Sequence, residues 1–168
     1  PALANNTFPG TTITGSSGSI SGTTVGATGQ SGEPTTYGGG SLNTMWYSWT
    51  APASGVFVAG LCNVTSSTST AFDTTLKTYT GTAVNALTVR SANDDTSGCD
   101  STAGAGFAST NSLNAVSGTT YRLQVDGYGG ATGTFTLYYG LVGLVITTTD
   151  NSATEGGGTG AFTVRLTT

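Results

Sequence analysis

The sequence predicts an all-β protein, an antiparallel β-sandwich or jelly roll with an extra strand segment at its C-terminal end. Three observations predict it. Apolar residues recur with a period of two in short runs, the side-chain period of a strand buried on one face. Turn-forming residues end each run at the spacing a sandwich requires. Gly and β-branched residues interrupt every stretch long enough for an amphipathic helix, and the abundant Thr favours strands. A chain of 168 residues has room for one such sandwich.

The elements follow in order. Residues 15–41 are rich in Gly, Ser and Thr, with Ile13, Ile20 and Val25 as sparse apolar anchors. They predict a long wrap holding one or two short strands. Over residues 43–50, Met45, Tyr47 and Trp49 fall on one face and Trp46 on the other; Pro52 and the Ala53-Ser54-Gly55 turn end that strand. Residues 56–62 set Phe57 and Leu61 opposite Val56, Val58 and Cys62. Residues 74–80 and 86–92 read as two strands about a turn at 81–85. Residues 119–126 alternate most cleanly, with Tyr121, Leu123 and Val125 opposite Arg122, Gln124 and Asp126. The Gly-rich turn at 127–133 then leads to Phe135, Leu137 and Tyr139, which predicts an antiparallel hairpin. Residues 141–147 and 161–167 are two further apolar strands joined by a polar, Gly-rich stretch.

Only 7% of the residues are charged, against roughly 25% in an ordinary soluble domain. Hydroxyl and amide groups supply the polarity instead, a composition typical of extracellular β proteins. The apolar share of 36%, with aromatics spread along the chain, argues against a disordered chain. The net charge of −4, with Lys77, Arg90, Arg122 and Arg165 forming no run, argues against nucleic acid. No apolar stretch approaches the roughly 20 residues of a membrane-spanning helix. Cys62 and Cys99 would be buried thiols in a reducing compartment and a disulfide in an oxidising one, and the rest of the composition favours the disulfide. Ala2-Leu3-Ala4 has the small-x-small form that precedes a signal-peptidase cut.

The chemistry of the side chains argues against an enzyme. The chain has no His, which removes the Ser-His-Asp triad, the Cys-His pair and the usual imidazole metal sites. Glu33, Asp73, Asp94, Asp95 and Asp126 could in principle pair for glycoside hydrolysis, but each stands where a carboxylate caps a turn. Calcium is the better functional reading of the acids. Asn93, Asp94, Asp95 and Asp100 lie on one loop, and hard oxygen ligands suit that ion, although the spacing is not that of an EF-hand. The Gly127–Gly133 run lacks the helix and Lys of a phosphate loop. Most of the aromatics Trp46, Tyr47, Trp49, Tyr128, Tyr138 and Tyr139 belong in a core; Tyr128, on a Gly turn, is the candidate for stacking against a ligand. Asn5-Asn6-Thr7 and Asn63-Val64-Thr65 match the N-glycosylation sequon, at Asn5 and Asn63.

A run of short motifs comes in order: Gly32-Glu33-Pro34, then residues 45–55 as Met-Trp-Tyr-Ser-Trp-Thr-Ala-Pro-Ala-Ser-Gly, Phe72-Asp73-Thr74-Thr75-Leu76, Tyr79-Thr80-Gly81, Asn93-Asp94-Asp95, Gly118-Thr119-Thr120-Tyr121, Val125-Asp126-Gly127-Tyr128-Gly129-Gly130 and Gly133-Thr134-Phe135-Thr136-Leu137. Over about residues 5–140 this resembles the bacterial pre-peptidase C-terminal domain family. The resemblance implies a β-sandwich of jelly-roll type, found beside secreted proteases and in surface proteins as an accessory or adhesive module. A Ser/Thr-rich insertion with a cysteine departs from that pattern around residues 62–71. Leu144-Val145-Ile146, Ala153-Thr154-Glu155-Gly156-Gly157-Gly158 and Gly160-Ala161-Phe162-Thr163-Val164-Arg165-Leu166 are similar to the opening strands of a Calx-beta domain.

The chain therefore divides into residues 1–140, a sandwich, and 141–168, a strand segment. Twenty-eight residues cannot bury their own core. The segment completes the sandwich, begins a further domain, or adds to a sheet edge of another copy. The third reading predicts head-to-tail homo-oligomers that grow into an extracellular filament or surface fibre. Its strand-adding residues would be Leu144, Ile146, Phe162, Val164 and Leu166. The alternative is a monomeric accessory or adhesion module that binds carbohydrate or extracellular matrix. Either belongs outside a cell, on a bacterial surface.

Overall fold

The computed structural model describes residues 3–35, 37–62, 70–100, 106–148 and 162–167, with 144–148 and 162–167 described by backbone alone. Among these residues ten strands are found: β1 (Thr11–Ile13), β2 (Ser17–Thr23), β3 (Met45–Thr50), β4 (Gly55–Gly60), β5 (Thr74–Thr80), β6 (Thr88–Asn93), β7 (Thr110–Ala115), β8 (Thr120–Gly127), β9 (Thr134–Thr148) and β10 (Phe162–Thr167). They form two sheets packed as a sandwich. The first has the order β1-β3-β8-β5-β6; the second has β10-β9-β4-β7, with β2 also paired to β9. All pairings are antiparallel except β1 with β3.

The core lies between the sheets and is made of the residues whose alternation points inward. Tyr47 and Trp49 of β3, Tyr121, Leu123 and Val125 of β8, and Leu76 of β5 face Phe57 and Ala59 of β4 and Phe135, Leu137 and Leu141 of β9. The Trp49 indole stacks on the Phe57 ring at 4.1 Å between centroids, across the two layers.

The turn at 81–85 joins β5 to β6 as expected, with Leu76 opposite Asn93. The expected hairpin between residues 119–126 and 134–139 is not formed. β8 lies between β3 and β5 in the first sheet, while β9 runs in the second. The physical reason is that alternation marks which face of a strand is buried, not which strand lies beside it. Tyr121, Leu123 and Val125 face the β9 residues across the core. The link between them is a 3-10 turn at Tyr128–Gly130 that carries the chain from one layer to the other. Gly127 is needed there, because a Cβ at that position would meet the Ala131 carbonyl oxygen at 1.9 Å. Of the nine connections between consecutive strands, only β5–β6 and β9–β10 stay within a sheet.

The outer face of the first sheet is not open to water. Trp46, on the face of β3 opposite Tyr47 and Trp49, is fully buried beneath the N-terminal segment and the wrap. The Phe8 ring meets it edge-on at 5.3 Å, and Gly10 crosses so closely that a Cβ would lie 1.8 Å from the Trp46 carbonyl oxygen. Gln124 and Asp126, on the face opposite Tyr121, Leu123 and Val125, are buried by the same covering. Within the wrap, β2 is the strand that forms. Ile13 and Ile20 anchor it, whereas Val25 is 57% exposed and anchors nothing.

Candidate functional site

Cys62 and Cys99 form a disulfide, with Cα atoms 5.6 Å apart. It ties the end of β4 in the second sheet to the loop after β6 in the first. No helix among the described residues is long and apolar enough to cross a membrane.

The predicted calcium ligands divide. Asp94 and Asp95 come together with Asp73, which stands just before β5; one carboxylate oxygen of each lies within 4.8 Å of the others. The β5–β6 pairing brings the residue before one strand beside the residues after the other. Oδ1 of Asp73 and Oδ1 of Asp94 are buried with no hydrogen-bond partner. Burial raises the Asp94 carboxyl to about 6, helped by repulsion from Asp95 and Asp73 and opposed by Lys77. Asp73 is raised too, by burial and then by Asp95. Asn93 and Asp100 do not join them. Asn93 Oδ1 accepts from Thr96 Oγ1 at 2.8 Å and from the Thr110 amide at 3.2 Å. Asp100 Oδ1 accepts from the Gly106 amide at 2.9 Å. Both shape the loop. Asp73, which the sequence offers only as a turn-capping acid, joins this cluster through a tertiary contact that no local pattern reports. The arrangement of three acids is the kind that accepts a divalent cation through oxygen.

The other acids hold the wrap. Glu33 accepts from Thr44 Oγ1 at 2.6 Å and from Trp46 Nε1 at 3.0 Å. Lys77 Nζ donates to the Thr35 carbonyl at 2.5 Å and lies 4.8 Å from the centre of the Tyr37 ring. Gln124 Nε2 donates to the Pro34 carbonyl at 3.3 Å, and its Oε1 accepts from the Tyr79 hydroxyl at 2.7 Å. Asp126 Oδ1 accepts from the amides of Gly127 and Asn43, at 2.8 and 3.1 Å, while its Oδ2 is buried without a partner. Burial raises Asp126 to about 6 despite those two amides. These groups form a polar seam under residues 30–43, so Glu33 and Asp126 are structural in this fold.

Tyr128 is 46% exposed, as expected. One side of its ring is taken by the Gly38 backbone, where a Cβ would meet the ring at 2.8 Å. Asn5 is buried, contrary to the exposure a glycan requires. Its Oδ1 receives the Thr11 hydroxyl and its carbonyl the Trp46 amide, which fastens the N-terminal segment to β3. Asn63 lies outside the described residues.

The C-terminal segments pair with each other. β10 runs antiparallel to the far half of β9, with Phe162 opposite Thr148, Val164 opposite Ile146 and Leu166 opposite Leu144. The boundary drawn after Gly140 falls inside β9, which is continuous over 15 residues. β2 leaves β9 at Gly140 and β4 leaves it at Val142. Beyond that point, among the described residues, β9 and β10 form a two-stranded ribbon.

A groove on the outer face of the second sheet was not anticipated. It holds about 370 Å³ and crosses β2, β9, β4 and β7, with Ser17, Val58, Gly60, Thr110, Tyr138 and Gly140 in its lining. The signal for it was a glycine in the middle of an apolar strand. Fold and geometry together define a disulfide-tied, two-sheet β-sandwich module whose β9 continues into a ribbon with β10. No family model, curated protein or solved structure matches the chain.

Proposed function

We propose that the chain is a non-catalytic extracellular structural module that joins copies of itself by β-strand addition through the β9–β10 ribbon. The observation that carries this reading is that β9 outruns both of its sandwich neighbours and pairs beyond Val142 with β10. A two-stranded ribbon is marginal in water by itself. An open strand edge is a template for another strand. The flanks of the sandwich offer less: β6 lies beside β7 at one side, and β1 leads directly into β2 at the other. A contact of ribbon to a different edge of the next copy does not close, so it propagates as a filament. The Cys62–Cys99 disulfide supports an oxidising, extracellular setting. Low charge leaves little repulsion between stacked copies.

Electron microscopy and light scattering on the intact chain, on a form ended after Gly143 and on Val164→Pro test this. Filaments or higher oligomers from the intact chain, lost in both variants, are the expected result. Monomers from all three sink the reading. They leave the second reading, a monomeric module that binds carbohydrate, which the groove on the second sheet favours.

A further inference from the structure

We infer that the groove over Gly140 is a binding site for a neutral saccharide, with a pyranose ring seated on the glycine and against Tyr138. This stands independently of the assembly reading. The groove lies on the face of the second sheet that points away from the core. Its floor includes Gly140 of β9, which pairs with Val58 of β4 on one side and Ser17 of β2 on the other.

Glycine weakens a strand interior, and one found there marks either a tight contact or a place kept clear for something else. The neighbouring strand glycines have tight contacts. A Cβ at Gly18 would meet the Tyr139 hydroxyl at 2.7 Å, one at Gly60 would meet Thr110 Cγ2 at 2.8 Å, and one at Gly55 would meet the Val142 carbonyl oxygen at 2.6 Å. Gly140 differs. The nearest atom to its Cβ position is Ser17 Cβ at 4.0 Å, and its φ is not positive. Neither packing nor backbone conformation requires glycine there. A side chain would simply fill the groove.

The lining selects the ligand class. Val58 is 41% exposed in the groove and Tyr138 half-buried, an aliphatic and an aromatic surface for the C–H face of a sugar. The hydroxyls of Ser17 and Tyr138 offer donors and acceptors to ring hydroxyls. Among the described residues no charged side chain lines the groove, which disfavours phosphate and acidic glycans. An extended peptide is recognised through backbone groups at a sheet edge. Here the ligand would meet the face of β9 and β4, which are paired on both sides beneath the groove, so their backbone groups are already used. A volume of about 370 Å³ lies at the small end of ligand pockets, suited to one or two rings.

The test is a 15N-edited NMR titration of the intact protein with maltotriose, cellotriose and tri-N-acetylchitotriose at millimolar concentrations. A heparin tetrasaccharide and a proline-rich peptide serve as contrasts. The expected result is that at least one neutral trisaccharide shifts the amides of Ser17, Val58, Tyr138 and Gly140. Gly140→Leu should weaken that binding about tenfold or more with unchanged melting and assembly. Tyr138→Ala should do the same and stands in if the leucine variant does not fold. The inference is overturned if no neutral sugar moves these amides, if only the heparin fragment or the peptide does, or if both variants bind as the parent does.

Discussion

The Trp46 indole donates from Nε1 to Glu33 Oε1 at 3.0 Å, so the outward-facing tryptophan of β3 is tied to the wrap that buries it. The other carboxylate oxygen holds Thr44. Glu33→Ala removes two charge-assisted acceptors and leaves a buried N–H without a partner. Hydrogen bonds to charged groups contribute about 1.5–3 kcal/mol, so a loss of about 2–3 kcal/mol is expected. Urea unfolding measures it, and Trp46 emission should shift to the red as the wrap lifts. Glu33→Gln keeps one acceptor and should lose less. Unchanged stability in the alanine variant would mean that Lys77, Gln124 and Asp126 hold the wrap without Glu33.

Stability should increase on mild acidification. Burial first, and Glu33 after it, raises the folded Asp126 carboxyl to about 6 from an ordinary 3.8, while the Gly127 and Asn43 amides and Lys77 oppose the shift. The folded protein thus binds this proton more tightly than the unfolded chain. The ionised form costs stability above about pH 6, and that cost is relieved as pH falls towards about 4. For Asp126 the gain is about 2 kcal/mol, and Asp94 acts in the same direction. Denaturant midpoints between about pH 4 and pH 7 would show it. Asp126→Asn should flatten the profile, and a parent profile that falls on acidification would refute the assignment.

The inward faces were legible from alternation alone: Tyr47 with Trp49, Tyr121 with Leu123 and Val125, and Phe57 with Leu61 are all buried. The β5–β6 hairpin was legible from its turn. What alternation does not encode is lateral order, so β8 and β9 were placed side by side when they face each other across the core. Nor does it encode what covers an outer face, so the burial of Trp46, Gln124 and Asp126 beneath the wrap, on the faces opposite the core, is not read from it. Of the acidic cluster, Asp94 and Asp95 were visible as neighbours in the chain. Asp73 is brought in by strand pairing, which no local pattern reports.

Reducing the disulfide should be costly. Cys62 and Cys99 are 37 residues apart. Closing a loop of that length removes unfolded-state entropy equivalent to about 4 kcal/mol in the chain-entropy model. The paired replacement of both cysteines by serine should lower the unfolding free energy by about that amount, and dithiothreitol should bring the parent to the same midpoint. A loss well under 1 kcal/mol would mean that the 62–99 loop is already constrained in the unfolded chain.

Calcium should raise the melting temperature through Asp73, Asp94 and Asp95, a set that keeps two of the four residues expected from the sequence and adds Asp73. Their carboxylates repel one another, and the buried Oδ1 atoms of Asp73 and Asp94 lack donors. A divalent cation relieves both conditions at once. Binding to the folded state alone, at a tenfold excess over Kd, contributes about 1.4 kcal/mol. In a domain of this size that is about 3–6 °C. Protons compete for the same oxygens. Because Asp94 titrates at about 6, the calcium response should be large at about pH 7.5 and shrink below about pH 5. Asp94→Asn should abolish it, whereas Asp100→Asn, outside the cluster, should leave it intact. A response that survives Asp94→Asn, or vanishes with Asp100→Asn, would move the cation away from the cluster. A flat response in the parent would leave these acids as loop-forming carboxyls with raised proton affinity.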